Sequence, residues 1–156
     1  MRKILLLLLC LVMIVGCQSK NGLANPMTQR NSLAEVNELT HGHLTKPGVM
    51  GISNEKYATI DTKEGLIGQY DFTFNENEYT VRFSDVILNE DISGIWIDGN
   101  PAFNDDKSIV RASDDEYQIA RWFTVDGQYS LTAPASVEHD IFEAVVDELT
   151  ALSVMQ

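Results

Sequence analysis

Hydrophobic and polar residues alternate most regularly in the middle of the chain. Tyr70, Phe72 and Phe74 are separated by polar residues, and the alternation resumes after Asn75-Glu76-Asn77. A period of two is typical of β-strands that bury one face. The two runs therefore predict an antiparallel hairpin with its turn at residues 75–77. The apolar positions of its second strand are Tyr79, Val81 and Phe83.

A second hairpin is predicted nearer the C-terminus. Apolar and polar residues alternate over residues 117–125, and a returning strand occupies residues 129–133. Between them lies Asp126-Gly127, a dipeptide typical of two-residue hairpin turns. Shorter strands are predicted over residues 56–61 and 108–112.

Two further segments have the periodicity of amphipathic helices. In the first, Ser32 and Glu35 match a capping box, and Gly42 fits the left-handed position after the last turn. In the second, Ser136 is a suitable N-cap after Pro134. The apolar stripe of this second helix comprises Ile141, Val145, Leu149 and Leu152, widened by Phe142 and Val146.

Together these elements predict an α+β fold. We expect a mostly antiparallel β-sheet of about five to six strands, with an N-terminal and a C-terminal helix packed on one face. A chain of 156 residues, 44% of them hydrophobic, is long enough for one domain with its own core. We place this single domain at residues 31–156.

The N-terminus has the three parts of a bacterial signal peptide. Arg2 and Lys3 precede an unbroken apolar run over residues 4–15, shorter than the roughly 20 residues of a membrane-spanning helix. The run ends in Ile14-Val15-Gly16-Cys17, which resembles the lipobox of bacterial lipoproteins. The resemblance implies cleavage before Cys17, a thioether-linked diacylglycerol on its sulfur, and acylation, for example by palmitate, of the new α-amine.

This resemblance predicts residues 1–16 as a lipoprotein signal peptide, and the polar composition that follows predicts residues 17–30 as a flexible tether. The alternatives are an uncleaved anchor and an ordinary secretory signal with an incidental cysteine. Cys10 would leave with the signal and Cys17 would be acylated, so no disulfide is expected in the mature monomer. Loss of Arg2 and Lys3 would change the net charge from −12 to −14, which argues against nucleic-acid binding.

Several short motifs follow one another in an order that resembles a known family. They are Asn25-Pro26, Ser32-Leu33-Ala34-Glu35, Pro47, Tyr79-Thr80-Val81-Arg82, Asp91-Ile92-Ser93-Gly94, Ala120-Arg121-Trp122, and Asp126-Gly127-Gln128-Tyr129-Ser130-Leu131 before a closing acidic helix. This order is similar to a family of small bacterial lipoproteins of unknown function, whose domain also forms the extracytoplasmic part of anti-sigma-factor-like membrane proteins. The resemblance covers residues 25–149, except around residues 41–43 and 95–106. It implies an α+β fold outside the membrane and brings no catalytic or cofactor residue.

His41-Gly42-His43 is the first candidate for chemistry, because two imidazoles one residue apart can share a metal ion. Zinc sites need three or four ligands, and the only other histidine in the sequence is His139. The simpler interpretation is a helix terminus, with His41 in the last turn and Gly42 as the cap. We therefore assign no metal ligand.

An acidic loop is the second candidate. Asp98-Gly99-Asn100 lacks the spacing of a calcium-binding loop, so a solvated acidic loop is the favoured interpretation and a cation site the alternative. The carboxylates of the loop are Asp85, Glu90, Asp91, Asp98, Asp105 and Asp106.

Asp91-Ile92-Ser93-Gly94 is the third candidate, either as a rigid turn or as a loop that contacts a ligand. Trp122 lies in a predicted strand and is expected in the core, whereas Trp96 can be a core or a surface residue. The sequence has no G-x-S-x-G motif and no cysteine free of the lipid and signal roles, so no catalytic residue is assigned.

These observations leave two hypotheses for function. The first is a lipid-anchored, extracytoplasmic, non-enzymatic interaction or sensing module of the cell envelope, held to the membrane by lipid at Cys17. The second is a lipoprotein that binds a small ligand or a cation through the loop at residues 85–106. An enzyme is the least supported class.

Overall fold

Seven strands and two helices form in the part of the chain that the computed structural model describes, residues 27–88, 91–95, 97 and 109–154. The strands make one sheet in the order β1-β2-β3-β4-β7-β6-β5, and every neighbouring pair is antiparallel. The predicted α+β class with a mostly antiparallel sheet is therefore confirmed, with seven strands instead of the expected five to six. The elements are β1 (Met27–Arg30), α1 (Leu33–Thr40), β2 (Ser53–Asp61), β3 (Leu66–Phe74), β4 (Asn77–Ser84), β5 (Ile109–Ser113), β6 (Tyr117–Thr124), β7 (Gly127–Pro134) and α2 (His139–Val154).

Strand β1 corrects the predicted extent of the tether. Met27 pairs with Ile60 and Arg30 with Tyr57, so the sheet begins four residues before the predicted domain start. The Arg30 guanidinium also donates two hydrogen bonds, of 3.0 and 2.8 Å, to the hydroxyl of Thr59. The segment has too few residues to show an alternating pattern, and it becomes a strand because β2 offers a free edge. The remainder of the predicted tether and Cys17 lie outside the described residues.

The first predicted hairpin is confirmed. Phe74 pairs with Asn77, so Asn75 and Glu76 form a two-residue loop between β3 and β4. Both loop residues have positive φ, 50° and 64°, which is the conformation of a type I′ turn.

The second hairpin has a different register from the expected one. Thr124 pairs with Gly127, so the loop is Val125-Asp126, one residue earlier than predicted. Gly127 belongs to the strand, with φ 151°, and must be glycine because a Cβ at this position would overlap the backbone oxygen of Ser84. As a result, the alternating apolar residues of the two strands lie on opposite faces of the sheet: Ile119 and Phe123 of β6 on one, Tyr129 and Leu131 of β7 on the other.

Helix α1 begins as predicted and ends differently. Ser32 Oγ accepts from the backbone amide of Glu35 at 3.2 Å, as the capping box requires. At the other end the left-handed residue is His41, with φ 49°, and the prediction that Gly42 takes this role is wrong. Gly42 is needed for another reason, since a Cβ there would overlap the ring of Phe83.

Helix α2 begins at His139, three residues after the predicted N-cap Ser136. Its buried side is rotated relative to the predicted stripe, because Ile141 and Leu152 are only partly buried. Near its C-terminus the Ser153 hydroxyl accepts a hydrogen bond of 3.2 Å from the indole nitrogen of Trp122. The fully buried apolar positions of the helix are Phe142, Val145, Val146 and Leu149.

The two faces of the sheet differ in composition. One, which we call the aromatic face, carries a row of stacked rings in which the Tyr70–Phe72 and Phe72–Tyr79 centroids lie 5.1 and 5.2 Å apart. Trp122 lies on this face, buried as predicted, and one buried cluster joins it to side chains of both helices. The opposite side, which we call the polar face, carries Gln69, Asp71, Thr80, Arg82, Arg121, Ser130 and Thr132.

Candidate functional site

Hydrogen bonds join the central strands across the polar face. Asp71 accepts from Gln69 Nε2 at 2.8 and 3.0 Å and from Thr80 Oγ1 at 2.7 Å. Arg82 Nε in turn donates to Gln69 Oε1 at 2.8 Å. The register places these residues as cross-strand pairs, Gln69 opposite Arg82 and Asp71 opposite Thr80. The network therefore holds the Arg82 guanidinium in one orientation.

The turn at residues 91–95 covers part of this face. Arg82 Nη1 donates to the carbonyl oxygen of Ile92 at 3.0 Å, and Arg121 Nη1 lies 3.2 Å from Asp91 Oδ2. Asp91 Oδ1 also accepts from the backbone amide of Ser93 at 2.8 Å. A Cβ at Gly94, where φ is 72°, would overlap the Arg82 guanidinium. This motif is therefore a rigid turn, and the rigidity comes from two arginines of the sheet.

A cavity of about 380 Å³ lies between this turn and the polar face. Such a volume falls within the range of small-molecule sites, roughly 300–1,000 Å³. Thr132 lines the cavity, and its buried hydroxyl has no hydrogen-bond partner among the described residues. Buried polar groups in folded proteins are almost always partnered, so an unused hydroxyl at a cavity wall is available to a ligand. Other lining residues are Glu78, Thr80, Arg82, Ser93, Gly94 and Tyr117.

The guanidinium of Arg82 is the positive charge of the cavity, and the exposed carboxylate of Glu78 lies at its rim. Burial lowers the pKa of Arg82, while the nearby carboxylates of Asp71 and Asp91 act in the opposite direction. Arginine stays protonated under such conditions, so the cavity holds a permanent cation. Nε and Nη1 are engaged, whereas no described residue accepts a hydrogen bond from Nη2. A planar oxyanion such as a carboxylate suits this geometry.

A second, shallower cavity of about 200 Å³ adjoins the first, because Glu78 and Thr80 line both. It extends along the polar face towards Lys56 and Asn54 on β2. We call the two cavities together the polar groove. The groove is lined by two cations, Arg82 and Lys56, and by two carboxylates, Glu78 and Asp71. It is therefore suited to ligands or partner surfaces that carry both charges.

The predicted histidine and carboxylate candidates do not converge. His41 is an exposed side chain at the end of α1, and its Nδ1 lies 3.4 Å from Asp85 Oδ2. Asp91 is paired with Arg121 instead. Across residues 27–88, 91–95, 97 and 109–154 no three or more His, Cys, Asp or Glu side chains are grouped as metal ligands. Glu90, Trp96, Asp98, Asp105 and Asp106 lie outside the described residues.

Sequence reasoning found the turn at residues 91–94 but missed the residues beneath it. Arg82 and Thr132 occupy polar positions of alternating strands, which the alternation assigns to solvent. The register of β4 with β7 brings the two residues close together, and the turn after β4 then lies over them. A signal that was available is Arg82 itself, because a long cation in mid-strand commonly has an acidic partner nearby.

A second polar cluster was also missed, at the margin of the aromatic face. Glu55 Oε2 accepts from the hydroxyls of Tyr57 and Tyr70 at 2.8 and 3.0 Å, and it forms an ion pair with Lys46. The hydrogen bond from Lys46 lowers the pKa of Glu55. Since every member of this cluster has a partner, it is a structural clamp and we assign it no ligand.

Among the described residues, neither helix is both long and apolar enough to cross a membrane. Comparison with known proteins finds no matching family model, no matching curated sequence and no matching solved structure. The resemblance to bacterial lipoproteins stays a prediction from the sequence.

Proposed function

We propose that this chain is a lipid-anchored domain that acts outside the cytoplasm of a bacterium, as a non-enzymatic interaction or sensing module of the envelope. We also propose that its two helices together cover the aromatic face and leave the polar groove as the binding surface. The observation that carries the proposal is the polar groove, where a buried cation is held rigidly beside unused hydrogen-bonding groups.

The anchor is supported by the N-terminal sequence. The apolar run and Ile14-Val15-Gly16-Cys17 provide the features needed for lipid attachment, and Met27 then enters the sheet after a short connection. A thioether-linked diacylglycerol with a further acyl chain binds a bilayer far more firmly than one chain does. Such an anchor confines the domain to the membrane surface.

Binding is favoured over catalysis by the state of the polar side chains in the groove. Ser93 Oγ lies 3.3 Å from the carbonyl oxygen of Ile95, and no described serine forms a hydrogen bond with a histidine. The carboxylate of Asp71, which lines the groove, accepts hydrogen bonds from Gln69 and Thr80, and that of Asp91, in the covering turn, is paired with Arg121. Such groups position a ligand, whereas a general base or nucleophile needs a free, activated atom.

Site-specific photo-crosslinking in cells tests this proposal. A photoreactive residue at Glu78, on the exposed rim of the groove, is expected to capture one envelope protein, and the product should be lost in Cys17→Ser. The matched control is the same residue at Glu38, which is exposed on α1. Identical products from both positions, or products that survive the loss of Cys17, would contradict the proposal.

A second candidate function is the binding of a small carboxylate ligand, and the cavity around Arg82 favours it. Acetate and succinate are then expected to raise the melting temperature of the native protein by mass action. The increase should disappear in Arg82→Gln and persist in Arg111→Gln, whose arginine pairs with Glu143 away from the groove. A response to calcium alone would instead support a cation site in the acidic loop.

A further inference from the structure

The turns of the sheet lie at two opposite ends, which differ in the polarity of their exposed residues. Because β1 runs antiparallel to β2 and Met27 pairs with Ile60, the chain enters the sheet beside the β2–β3 turn at residues 62–65. The end of β4 and the β6–β7 loop lie at the same end, where Gln128 Nε2 donates to the carbonyl oxygen of Val86 at 3.3 Å. We call this end, where the N-terminal connection enters, the entry end.

Exposed apolar side chains are concentrated at the entry end. Val125 is fully exposed at the tip of the β6–β7 loop, and Ile87 is 69% exposed just after β4. Val86 and Phe123 beside them are each about two-fifths exposed. The turns at the opposite end contain instead Asn75, Glu76, Asp114, Asp115 and Glu116. Isolated apolar residues on a surface are ordinary, and Met50 is one such residue at the opposite end, but four of them at one end of a sheet are unusual.

The length of the N-terminal connection limits how far the entry end can be from a bilayer. Nine residues, 18–26, lie between Cys17 and the first residue of β1. Even when fully extended they would span only about 30 Å, and a flexible chain of this length has a typical end-to-end distance of about half that. A lipid on Cys17 therefore keeps Met27 within about 30 Å of the headgroups, so the entry end, which contains Met27, is the end held nearer to them.

We propose that the entry end contacts the bilayer that holds the protein's own lipid, with Ile87 and Val125 inserted at the interface. The inference rests on the proposed lipid anchor. Small apolar side chains add interfacial affinity to a covalent anchor without spanning the membrane. Asp61, Glu64 and Asp126 at the same end are repelled by anionic headgroups, so a zwitterionic surface is the favoured one.

Depth-dependent fluorescence quenching tests the orientation. The lipidated protein carries a thiol-reactive, environment-sensitive dye at Val125→Cys, or at Asp115→Cys in the opposite end as the control. It is reconstituted in phosphatidylcholine vesicles that contain lipid with a nitroxide near the headgroup. We expect quenching of the dye at position 125 and none at position 115. Added phosphatidylglycerol should reduce the quenching at position 125.

Two further variants separate insertion from simple proximity. Ile87→Asp in the Val125→Cys protein should reduce the quenching, whereas Met50→Asp should not. Met50 is 92% exposed and comes just before the start of β2, at the end of the sheet opposite the entry end. It is therefore a matched apolar control.

The failure of this inference and that of the anchor are distinguishable by vesicle flotation. Protein that floats with vesicles but shows equal or no quenching at both positions retains the anchor and overturns the orientation. Protein that does not float overturns both. A dye at position 125 that is equally shielded in Cys17→Ser without vesicles shows that a second copy covers the entry end, which also overturns the inference.

Discussion

The aromatic face and the polar face belong to the same strands, yet they are buried by different physical means. The aromatic face is filled by rings such as Phe72 and Tyr79, which stack 5.2 Å apart and need no particular hydrogen-bond partner. The polar face also buries Val110 and Ile119, but its two arginines, Arg82 and Arg121, must each meet an acceptor on the turn that covers them. Burial of apolar surface is non-directional, whereas burial of charge is favourable only with correct partners.

This difference predicts how the two faces respond to change. Loss of volume on the aromatic face leaves a cavity, and its cost depends on how far the neighbours can relax. Loss of a partner on the polar face leaves a buried charge, and its cost depends on whether that charge can also be removed. Variants on each face can therefore distinguish the two modes of burial.

Phe83→Ala is expected to have the largest effect. The ring is fully buried, packs 4.8 Å from the ring of Tyr129 and lies against Gly42. Truncation of such a side chain costs about 3–5 kcal/mol. Urea unfolding measures the loss, and Phe123→Ala, which is 40% exposed, is the matched control with an expected loss below about 1 kcal/mol. Equal losses in both variants would show that the aromatic face is not the main core.

Arg121→Met should follow, with a loss of about 3 kcal/mol, because it removes the cation whose Nη1 lies 3.2 Å from the partly buried carboxylate of Asp91. The informative comparison is the double variant Arg121→Met/Asp91→Asn, which removes both charges. If burial of charge dominates, the double variant is more stable than Arg121→Met alone. A double-mutant cycle by urea unfolding measures the coupling, and additive losses would contradict the assignment of this pair.

The two faces also differ in how well the sequence predicts them. The β3–β4 hairpin and the start of α1 are determined by neighbours a few residues apart, Asn75-Glu76 in the turn and Ser32 with Glu35 in the cap. Such local features can be read directly from the sequence. The aromatic face of β3 and β4 follows from the same local alternation. In β6 the alternating apolar residues lie on the polar face instead, and Trp122 was correctly expected in the core only because it lies in a strand.

The polar face could not be predicted in this way, because it depends on contacts between distant segments. Alternation alone assigns Arg82 and Thr132 to solvent, and only the pairing of β4 with β7 brings them under the turn at residues 91–95. The register error at Asp126-Gly127 has a similar origin. The Asp126-Gly127 motif predicts a loop made of these two residues. Gly127 is instead the first residue of β7, where the close approach of the Ser84 backbone requires glycine.

Gly42→Ala should have an intermediate effect, which comes from the close contact of Gly42 with the ring of Phe83. The added methyl group would overlap the ring of Phe83, so we expect a loss of about 1–3 kcal/mol from overpacking. His41→Gly, one residue earlier, is the matched control of opposite sign. It relieves the left-handed conformation of His41 and should gain about 0.5–1 kcal/mol. If His41→Gly is less stable than the wild type and Gly42→Ala is equally stable, the result would favour the predicted cap at Gly42 over the cap at His41.

Glu55→Gln is expected to have the smallest effect, and the effect should depend on pH. The Lys46 hydrogen bond lowers the pKa of Glu55 in the folded protein from its usual value of about 4.5. A carboxyl group with a lowered pKa stabilises the fold at any pH above its usual pKa. This contribution is lost as the pH falls through the lower, folded-state value. The wild type should therefore melt above Glu55→Gln at pH 7, by an amount equivalent to less than about 1 kcal/mol. The difference should persist to about pH 5 and shrink below pH 4.5.

Melting curves from pH 3 to 7 measure this difference, and Lys46→Met supplies the control because it removes the main cause of the lowered pKa. In that background Glu55→Gln should change the melting temperature less, and with a weaker dependence on pH. A difference that stays constant through pH 4 would show that the carboxylate charge of Glu55 is not what stabilises the clamp. The margin of the aromatic face at Glu55 would then depend, like its centre, on packing.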